Sequence, residues 1–428
     1  MSLAAAPTAR RTAAGARHYG LWLATAVVLA GLPQVFASPI AIAVMNKMGI
    51  AIIFALSYNM MLGQGGMLSF GHAVYFGLGG FIAMHALNRL AGGPWALPVP
   101  LLPLVGGLAG LGFGALFGSF STNRAGTVFA MISLGIVELV ASSSLILKGF
   151  FGGEEGISGN RTKALVLWGI RFASDVQVYY LIAFWAVAAA GLMYAFSRTP
   201  IGRMANAVRD NPERAEFVGY SQRTVRFVSF CAGGFFAGIA GGLFAVNYEI
   251  LTEEAVGLAR SGNVLVMTYI GGIGYFAGPI IGAVVFTFLE SMLSDYTPIW
   301  LLYLGILFLA TVLFVPTGFA GVLMMHEPAR RAGRLHRLAL PYLGAGLVAL
   351  VLAVGLVGLL EMVHFWSAAA VGRTRMRLFW ATVDVTSLVP WLVFAGLAVG
   401  GALALRRLAP RAAAAWNEAT YGREGAAS

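Results

Sequence analysis

The chain has 428 residues, of which 59% are hydrophobic and 11% charged, and its mean hydropathy is +0.81. An ordinary soluble chain carries about a quarter charged residues, so too few polar side chains exist here to cover a water-facing surface, and a soluble enzyme or binding domain is excluded. The net charge of +11 does not point to nucleic acid, because the basic residues lie in short segments between apolar runs, as on the cytoplasmic side of a membrane protein.

A bilayer crossing needs about 20 apolar residues. In chain order, apolar runs predict spans near 19–38, 39–62, 66–88, 97–120, 125–147, 177–197, 224–247, 262–276, 277–293 and 298–316, then two more near 338–360 and 381–405. The expected fold class is an all-α polytopic membrane protein. The Gly-rich run 262–276 is short for a crossing and must be tilted, broken or shielded by protein. With the N-terminus inside, segments 1–18, 121–124, 198–226, 326–337 and 406–428 face the cytoplasm and hold most of the Lys and Arg. Twelve crossings with both termini inside satisfy that distribution, although Arg373, Arg375 and Arg377 then fall outside. Arg10, Arg11 and Arg17 precede an apolar run ending Val35-Phe36-Ala37, which has the outline of a secretory leader. A second span follows at once and the first is long enough to cross, so this run is expected to stay as a span.

Several chemistries have no support. There is no Gly-x-x-x-x-Gly-Lys-Ser/Thr loop, and Lys47, Lys148 and Lys163 are the only lysines, so any use of ATP needs a separate nucleotide-binding subunit. Neither His-Glu-x-x-His nor Gly-x-Ser-x-Gly occurs. The single cysteine, Cys231, lies in an apolar run and reads as a small buried hydrophobe, which leaves no disulfide and no cysteine metal site.

Where the second span hands over to the third, Asn59, Gln64, Ser69 and His72 sit among glycines at 63, 65, 66, 71, 77, 79 and 80. The glycines read as sites of close helix approach. Polar groups at membrane depth must face protein or a watery cavity, so this segment is expected to be partly unwound and to line a path or gate. A helix-anchoring role for His72 is the plainer alternative. Residues 65–73 (GGMLSFGHA) and 271–279 (GGIGYFAGP) share Gly-Gly and a Phe at matched offsets, a short internal echo. Lys47 in the second span and Glu138 in the fifth each cost at least about 2.5 kcal/mol if unpaired near the bilayer centre. Mutual pairing, or pairing of each to carbonyls, would relieve that cost; Glu138 is also a candidate to face solute.

Residues 198–222, RTPIGRMANAVRDNPERAEFVGYSQ, form the longest polar stretch between clear spans. Pro200 and Gly202 open it, Asn211-Pro212 breaks it, and Gly219 ends a second short helix near 212–218. Two short helices at an angle make a knob whose small residues Ala205, Ala207, Ala215 and Val218 suit a groove on another protein. A solvated loop held to lipid headgroups by arginines is the alternative.

This loop resembles the conserved cytoplasmic loop in the permeases of bacterial ABC importers for branched-chain amino acids, the LivM type. Three more stretches agree in order and spacing: LSYNMMLGQGGMLSFGHAVYFGLGGF at 56–81, IGGIGYFAGPIIGA at 270–283, and FVPTGFAG at 314–321, where Val315 replaces the usual Arg. Gly152-Gly153-Glu154-Glu155-Gly156-Ile157 resembles a further family segment, and Glu138 matches an acidic position of the fifth span. The resemblance runs from about 40 to 325. It implies a permease core of about 10 transmembrane helices, followed by a basic linker (326–337), about two added helices (338–405) and a tail (406–428).

The resemblance further implies a coupling segment for an ATPase, carried by Pro200, Gly202, Arg203, Arg209, Asn211, Glu213, Ala215, Glu216 and Gly219. Path or gate candidates are Asn59, Gln64, Ser69, His72 and Glu138, and packing glycines are Gly65, Gly66, Gly71, Gly271, Gly272, Gly274, Gly278 and Gly282. Implied partners are a second homologous permease, two ABC ATPases that hold ATP and Mg, and a periplasmic binding protein that Glu154, Glu155, Glu249, Glu253 and Glu254 could steer. The chain itself would bind no cofactor or metal and work in the bacterial inner membrane. Two other classes compete: a stand-alone proton-coupled transporter using Glu138 and Lys47, and an integral-membrane enzyme, for which the sequence offers no paired acid and base.

Overall fold

Caps and breaks written into the sequence set the helix ends. The computed structural model describes residues 8–90, 97–165, 171–368 and 374–421. Its helices are α1 (Thr8–Val35), α2 (Pro39–Asn59), α3 (His72–Leu90), α4 (Leu102–Ser121), α5 (Gly126–Ile146), α6 (Lys148–Phe151), α7 (Asp175–Arg198), α8 (Pro200–Asp210) and α9 (Pro212–Phe217). There follow α10 (Gln222–Tyr248), α11 (Leu258–Gly271), α12 (Gly278–Tyr296), α13 (Trp300–Phe314), α14 (Gly318–Met325), α15 (Glu327–Arg331), α16 (His336–Ala368) and α17 (Leu388–Tyr421). Two antiparallel ribbons complete the chain, β1 (Ile157–Ser158) with β2 (Ile250–Leu251), and β3 (Arg375–Leu378) with β4 (Ala381–Asp384). The chain divides into two units, residues 1–321 and 322–428.

Among the described residues eight helices are long and apolar enough to cross a bilayer, or nine if one broken pair is a single span. That is fewer than the twelve crossings expected. Part of the difference is α11, whose 14 residues reach only about 21 Å against roughly 30 Å of hydrocarbon. This helix starts at Leu258, four positions before the expected run, so Arg260 and Ser261 belong to it rather than to a loop. The third span starts at His72, not 66, because residues 65–71 carry no helix. The last expected span, 381–405, begins too early: alternating Ala-Thr-Val-Asp is strand β4, and helix resumes at Leu388. Arg406, Arg407 and Arg411, expected in a tail, continue α17.

In the first unit α10 is the most deeply buried of the candidate spans. Gly106, Gly110, Gly114 and Gly118 recur every fourth residue on one face of α4; the first three meet Gly234, Gly238 and Gly242 of α10, and Gly118 meets Phe230. A methyl added at Gly234 would lie 2.7 Å from the Gly110 carbonyl oxygen, and one at Gly242 2.8 Å from Cα of Pro103. On another face of α10, a methyl at Gly80 of α3 would stand 2.9 Å from the Gly241 carbonyl oxygen. Backbones in contact maximise dispersion where lipid offers no hydrophobic drive between helices.

The outward-read loop between α6 and α7 is fixed by Arg161, which is 7% exposed. Its guanidinium donates to the carbonyls of Phe172 (2.8 Å), Asn247 (3.2 Å) and Val246 (3.3 Å), and to Asp175 (2.9 Å). Its own N–H donates to Glu249 Oε1 at 2.6 Å. Glu249, expected as a steering charge, is therefore a latch that holds the end of α10. Arg161→Met is expected to cost about 2–3 kcal/mol, the scale of hydrogen bonds to a charged group. Arg161→Lys should recover little, because an ammonium cannot reproduce the planar fork. Thermal unfolding in detergent measures both; an unchanged midpoint for Arg161→Met would contradict the latch.

In the second unit α16 and α17 pair antiparallel: a methyl at Gly355 would stand 2.8 Å from Cα of Ala398, and one at Gly401 2.8 Å from Cα of Leu352. Leu343, Leu347, Leu392 and Leu403 are exposed on this hairpin, as lipid-facing residues must be. Arg375 and Arg377 lie on strand β3, with Arg375 4.0 Å from Asp384; Arg373 lies outside the described residues.

Candidate functional site

Helix α2 ends in a π turn, Met60–Gln64, and then unwinds. Backbone without helix at membrane depth survives only where protein satisfies it, and here hydroxyls do so. The N–H of Phe70 donates to Ser133 Oγ (2.9 Å), that of Gly71 to Ser69 Oγ (3.3 Å) and that of Ala73 to Ser261 Oγ (3.0 Å). Tyr58 donates its hydroxyl to the Ser69 carbonyl at 3.0 Å. His72 is fully buried, stacked on Phe54 at 5.3 Å, with Nε2 2.8 Å from Ser57 Oγ. Since the Ser57 hydroxyl donates to the Phe54 carbonyl at 2.7 Å, its oxygen accepts from Nε2–H, which leaves Nδ1 bare; that atom is buried without a partner.

A second break, residues 272–277, separates α11 from α12, and the two breaks touch: a methyl at Gly63 would lie 2.7 Å from the Ile273 carbonyl oxygen. The sequences that echo each other at 65–73 and 271–279 are thus both elbows between helices. Gly66 has φ +65°, and a methyl there would be 2.7 Å from Cγ of Arg209. The Arg209 guanidinium donates to the Gly63 carbonyl and pairs with Asp210 at 2.9 Å. The knob formed by α8 and α9 is in this way bonded to the unwound end of α2.

Local chemistry builds the knob. Thr199 caps α8 by accepting from the Gly202 N–H (3.1 Å), Asn211 caps α9 by accepting from the Arg214 N–H (3.0 Å), and Gly219 with φ +90° ends it. Ala205, Val208 and Ala215 bury against Val225. Ala205 and Ala215 are therefore the knob's own core rather than its rim, and the apolar groups it offers outward are Phe217 and Val218, 90% and 70% exposed. Arg203, Glu213, Arg214 and Glu216 surround them, exposed, with Glu216 accepting from Gln222 at 2.8 Å.

The charges of the spans pair otherwise than expected. Lys47 Nζ stands 3.1 Å from Glu290 Oε2 of α12, so its partner is not Glu138. Glu138 is instead exposed and faces an open cavity of about 650 Å³, together with Glu253, Glu254, Arg260, Asn263 and Glu290. A smaller space of about 40 Å³ adjoins it, bounded by Lys47, Phe54, Phe76, Phe244, Arg260 and Thr287 among others. Of the five path candidates only Glu138 lines either space. Asn59, Ser69 and His72 are buried in packing, and the side-chain oxygens of Asn59 and Gln64 are buried without partners. Among the packing glycines, Gly271, Gly272, Gly278 and Gly282 press on neighbouring backbone, Gly65 on the Met61 carbonyl and Gly71 on Ser133, whereas Gly274 faces open space at a turn.

Sequence reasoning missed Arg260 and Glu290. The available signal was the spacing of Arg260, Asn263, Val264 and Met267, one face of a helix, all of which border the smaller space.

A helical bundle with broken spans, charges on its helices and a bonded surface knob is that of a polytopic membrane protein. Residues 40–316 match the family described as branched-chain amino acid transport system / permease component, and the chain belongs to that family. It is 27% identical over 295 residues to the high-affinity branched-chain amino acid transport system permease protein LivM of Escherichia coli (strain K12), covering 63% of this chain and 67% of that one. It is 25% identical over 288 residues to a probable branched-chain amino acid transport permease protein LivH of Methanocaldococcus jannaschii, covering 63% and 88%. With the permease protein BraD of Pseudomonas aeruginosa it shares 23% over 296 residues, covering 63% and 91%. No solved structure matches the chain.

Proposed function

We propose that this permease is the translocation subunit of an ATP-driven importer in a bacterial inner membrane, with both termini cytoplasmic. Its solute is a branched-chain amino acid or a related small organic compound. It pairs with a second homologous permease, docks two ABC ATPases on the α8–α9 knob, and receives solute from a periplasmic binding protein. ATP and Mg²⁺ belong to the ATPases; this chain makes and breaks no covalent bond and binds no nucleic acid.

The observation that carries this reading is the bond from Arg209 to the Gly63 carbonyl. A motor that moved the knob would pull directly on the unwound end of α2 and on the elbow at 272–277 beside it. Phe217 and Val218, apolar and exposed, give such a motor something to grip. Supporting this, the family and the relatives above carry the names of transport permeases. The test is reconstitution in vesicles. Uptake is expected only when the second permease, the ATPases, the binding protein and ATP are all supplied. Solute movement by this chain alone, driven by a proton gradient with no nucleotide hydrolysed, would overturn the reading.

A further inference from the structure

We infer that the cavity between α5, α11 and α12 is a solute-binding site within the permease itself, where Arg260 takes a carboxylate and Glu253 takes an ammonium. The site therefore selects a zwitterionic α-amino acid over a neutral amide or a simple amine. This rests on the translocation reading above and extends it: the permease reads its solute's charges for itself, independently of any binding protein.

Arg260 is the first ground. Among the described residues its guanidinium has no hydrogen bond and no ion pair within 4 Å; it lies over two aromatic rings, Phe76 at 5.3 Å and Phe244 at 4.7 Å to the centroids, with Glu254 and Glu290 on the same cavity wall. The rings fix the guanidinium and stabilise its charge while leaving N–H donors unused. An ionisable group within a membrane bundle is costly and marks a functional position. The carboxylates nearby act on it only through space: Glu290 is taken by Lys47 at 3.1 Å, and Glu254 makes no ion pair with it. What fits a fixed planar fork is a planar anion with two acceptor oxygens, a carboxylate.

The second ground is Glu253. It lines the same cavity, and its Oε2 lies out of reach of solvent with no hydrogen-bond partner. A carboxylate is acceptor-only, so the cationic donor it calls for must meet its other oxygen from the cavity, and an α-ammonium supplies three N–H groups. Glu254 lines the same wall. Among the described residues no group of three carboxylate, His or Cys side chains is placed to hold a metal ion. Leu145 and Leu258 give the cavity an apolar side for the solute's side chain. Its volume of about 650 Å³ lies in the usual range of small-molecule sites, roughly 300–1,000 Å³.

The experiment uses the full chain purified in detergent, with neither ATPases nor nucleotide. Binding of L-leucine, L-leucinamide and isovalerate is followed by the ligand-induced rise in thermal midpoint across a concentration series. Leucine is expected to bind, and leucinamide at least about thirtyfold more weakly, as when one partner of a buried charge pair is removed. Arg260→Gln should lose leucine and isovalerate alike. Glu253→Gln should weaken leucine while leaving isovalerate unchanged, and it keeps the test decisive should Arg260→Gln not fold. Equal stabilisation by leucine and leucinamide, leucine binding unaltered in Arg260→Gln, or no stabilisation by leucine at all would overturn the proposal. Binding retained without ATP-driven uptake in the assembled system would sink the importer reading alone; uptake retained without binding would sink this site alone.

Discussion

Gly238→Leu is expected to abolish the folded protein. At this position α10 lies backbone to backbone on α4, and even a single methyl would press into the Gly106 carbonyl and stand 3.1 Å from Cα of Gly107. A side chain can turn away from an intruder; a helix backbone cannot. The two helices must separate, and the glycine contacts above and below, Gly110 with Gly234 and Pro103 with Gly242, open with them. Overpacking costs typically about 1–3 kcal/mol where neighbours are flexible, and a rigid neighbour puts this change at or above the upper figure. The measurement is monodisperse yield on size exclusion in detergent, with the thermal midpoint of whatever survives. Gly112→Leu on the same α4 is the control, since a methyl there meets nothing within 4 Å. Equal losses for both would show that the helix, and not the contact, is sensitive.

Two changes in the knob should separate docking from transmission. Phe217, 90% exposed at the knob's tip, contributes little to the fold, so Phe217→Asp should leave the permease stable. If the tip enters a groove on an ATPase, the buried aspartate should weaken that complex by at least about thirtyfold, the scale of an interface hot spot. Arg209→Ala should do the opposite. The tip is intact and the ATPase stays bound, while the hydrogen bond from knob to Gly63 is gone. A hydrogen bond to a charged group contributes about 1.5–3 kcal/mol; for a side chain 37% exposed the lower figure applies. That is about a tenfold fall in solute moved per ATP hydrolysed. Affinity capture of the ATPases and the ratio of uptake to hydrolysis read the two effects. A Phe217→Asp variant that still holds its ATPases, or an Arg209→Ala variant with an unchanged ratio, would contradict the scheme.

What could be read from the chain divides by range. The knob was readable because its signals are local: Pro200, Asn211-Pro212 and Gly219 each act within one turn of where they stand. The break after the second span was readable for the same reason, since clustered glycines weaken a helix and polar groups at membrane depth need protein or water to satisfy them. Partners across the fold were not. Lys47 finds Glu290 rather than Glu138, and nothing in a span's composition says which of two distant carboxylates folding brings near. Arg161 looked like any loop arginine because its acceptors are mostly carbonyls, which every residue has. Arg260 was hidden differently: it precedes the apolar run that opens at 262, although 260, 263, 264 and 267 share a helical face. The final span was set too early, and the alternation in Ala381–Asp384 was the strand signal. The α4–α10 contact was there to be read, in glycines four apart on both helices.

The backbone at Phe70, Gly71 and Ala73 hangs on serines. A carbonyl in a helical ladder points one way, and to move its donor is to break the ladder. A serine hydroxyl is a swivel: it turns about one bond and can follow a donor that shifts. With Ser133 of α5 and Ser261 of α11 as its outer bearings, this stretch is held by groups that can turn without any helix on either side unravelling. A rocking of the rods about such a journal would be resisted first by these hydroxyl bonds and only then by the helical ladders.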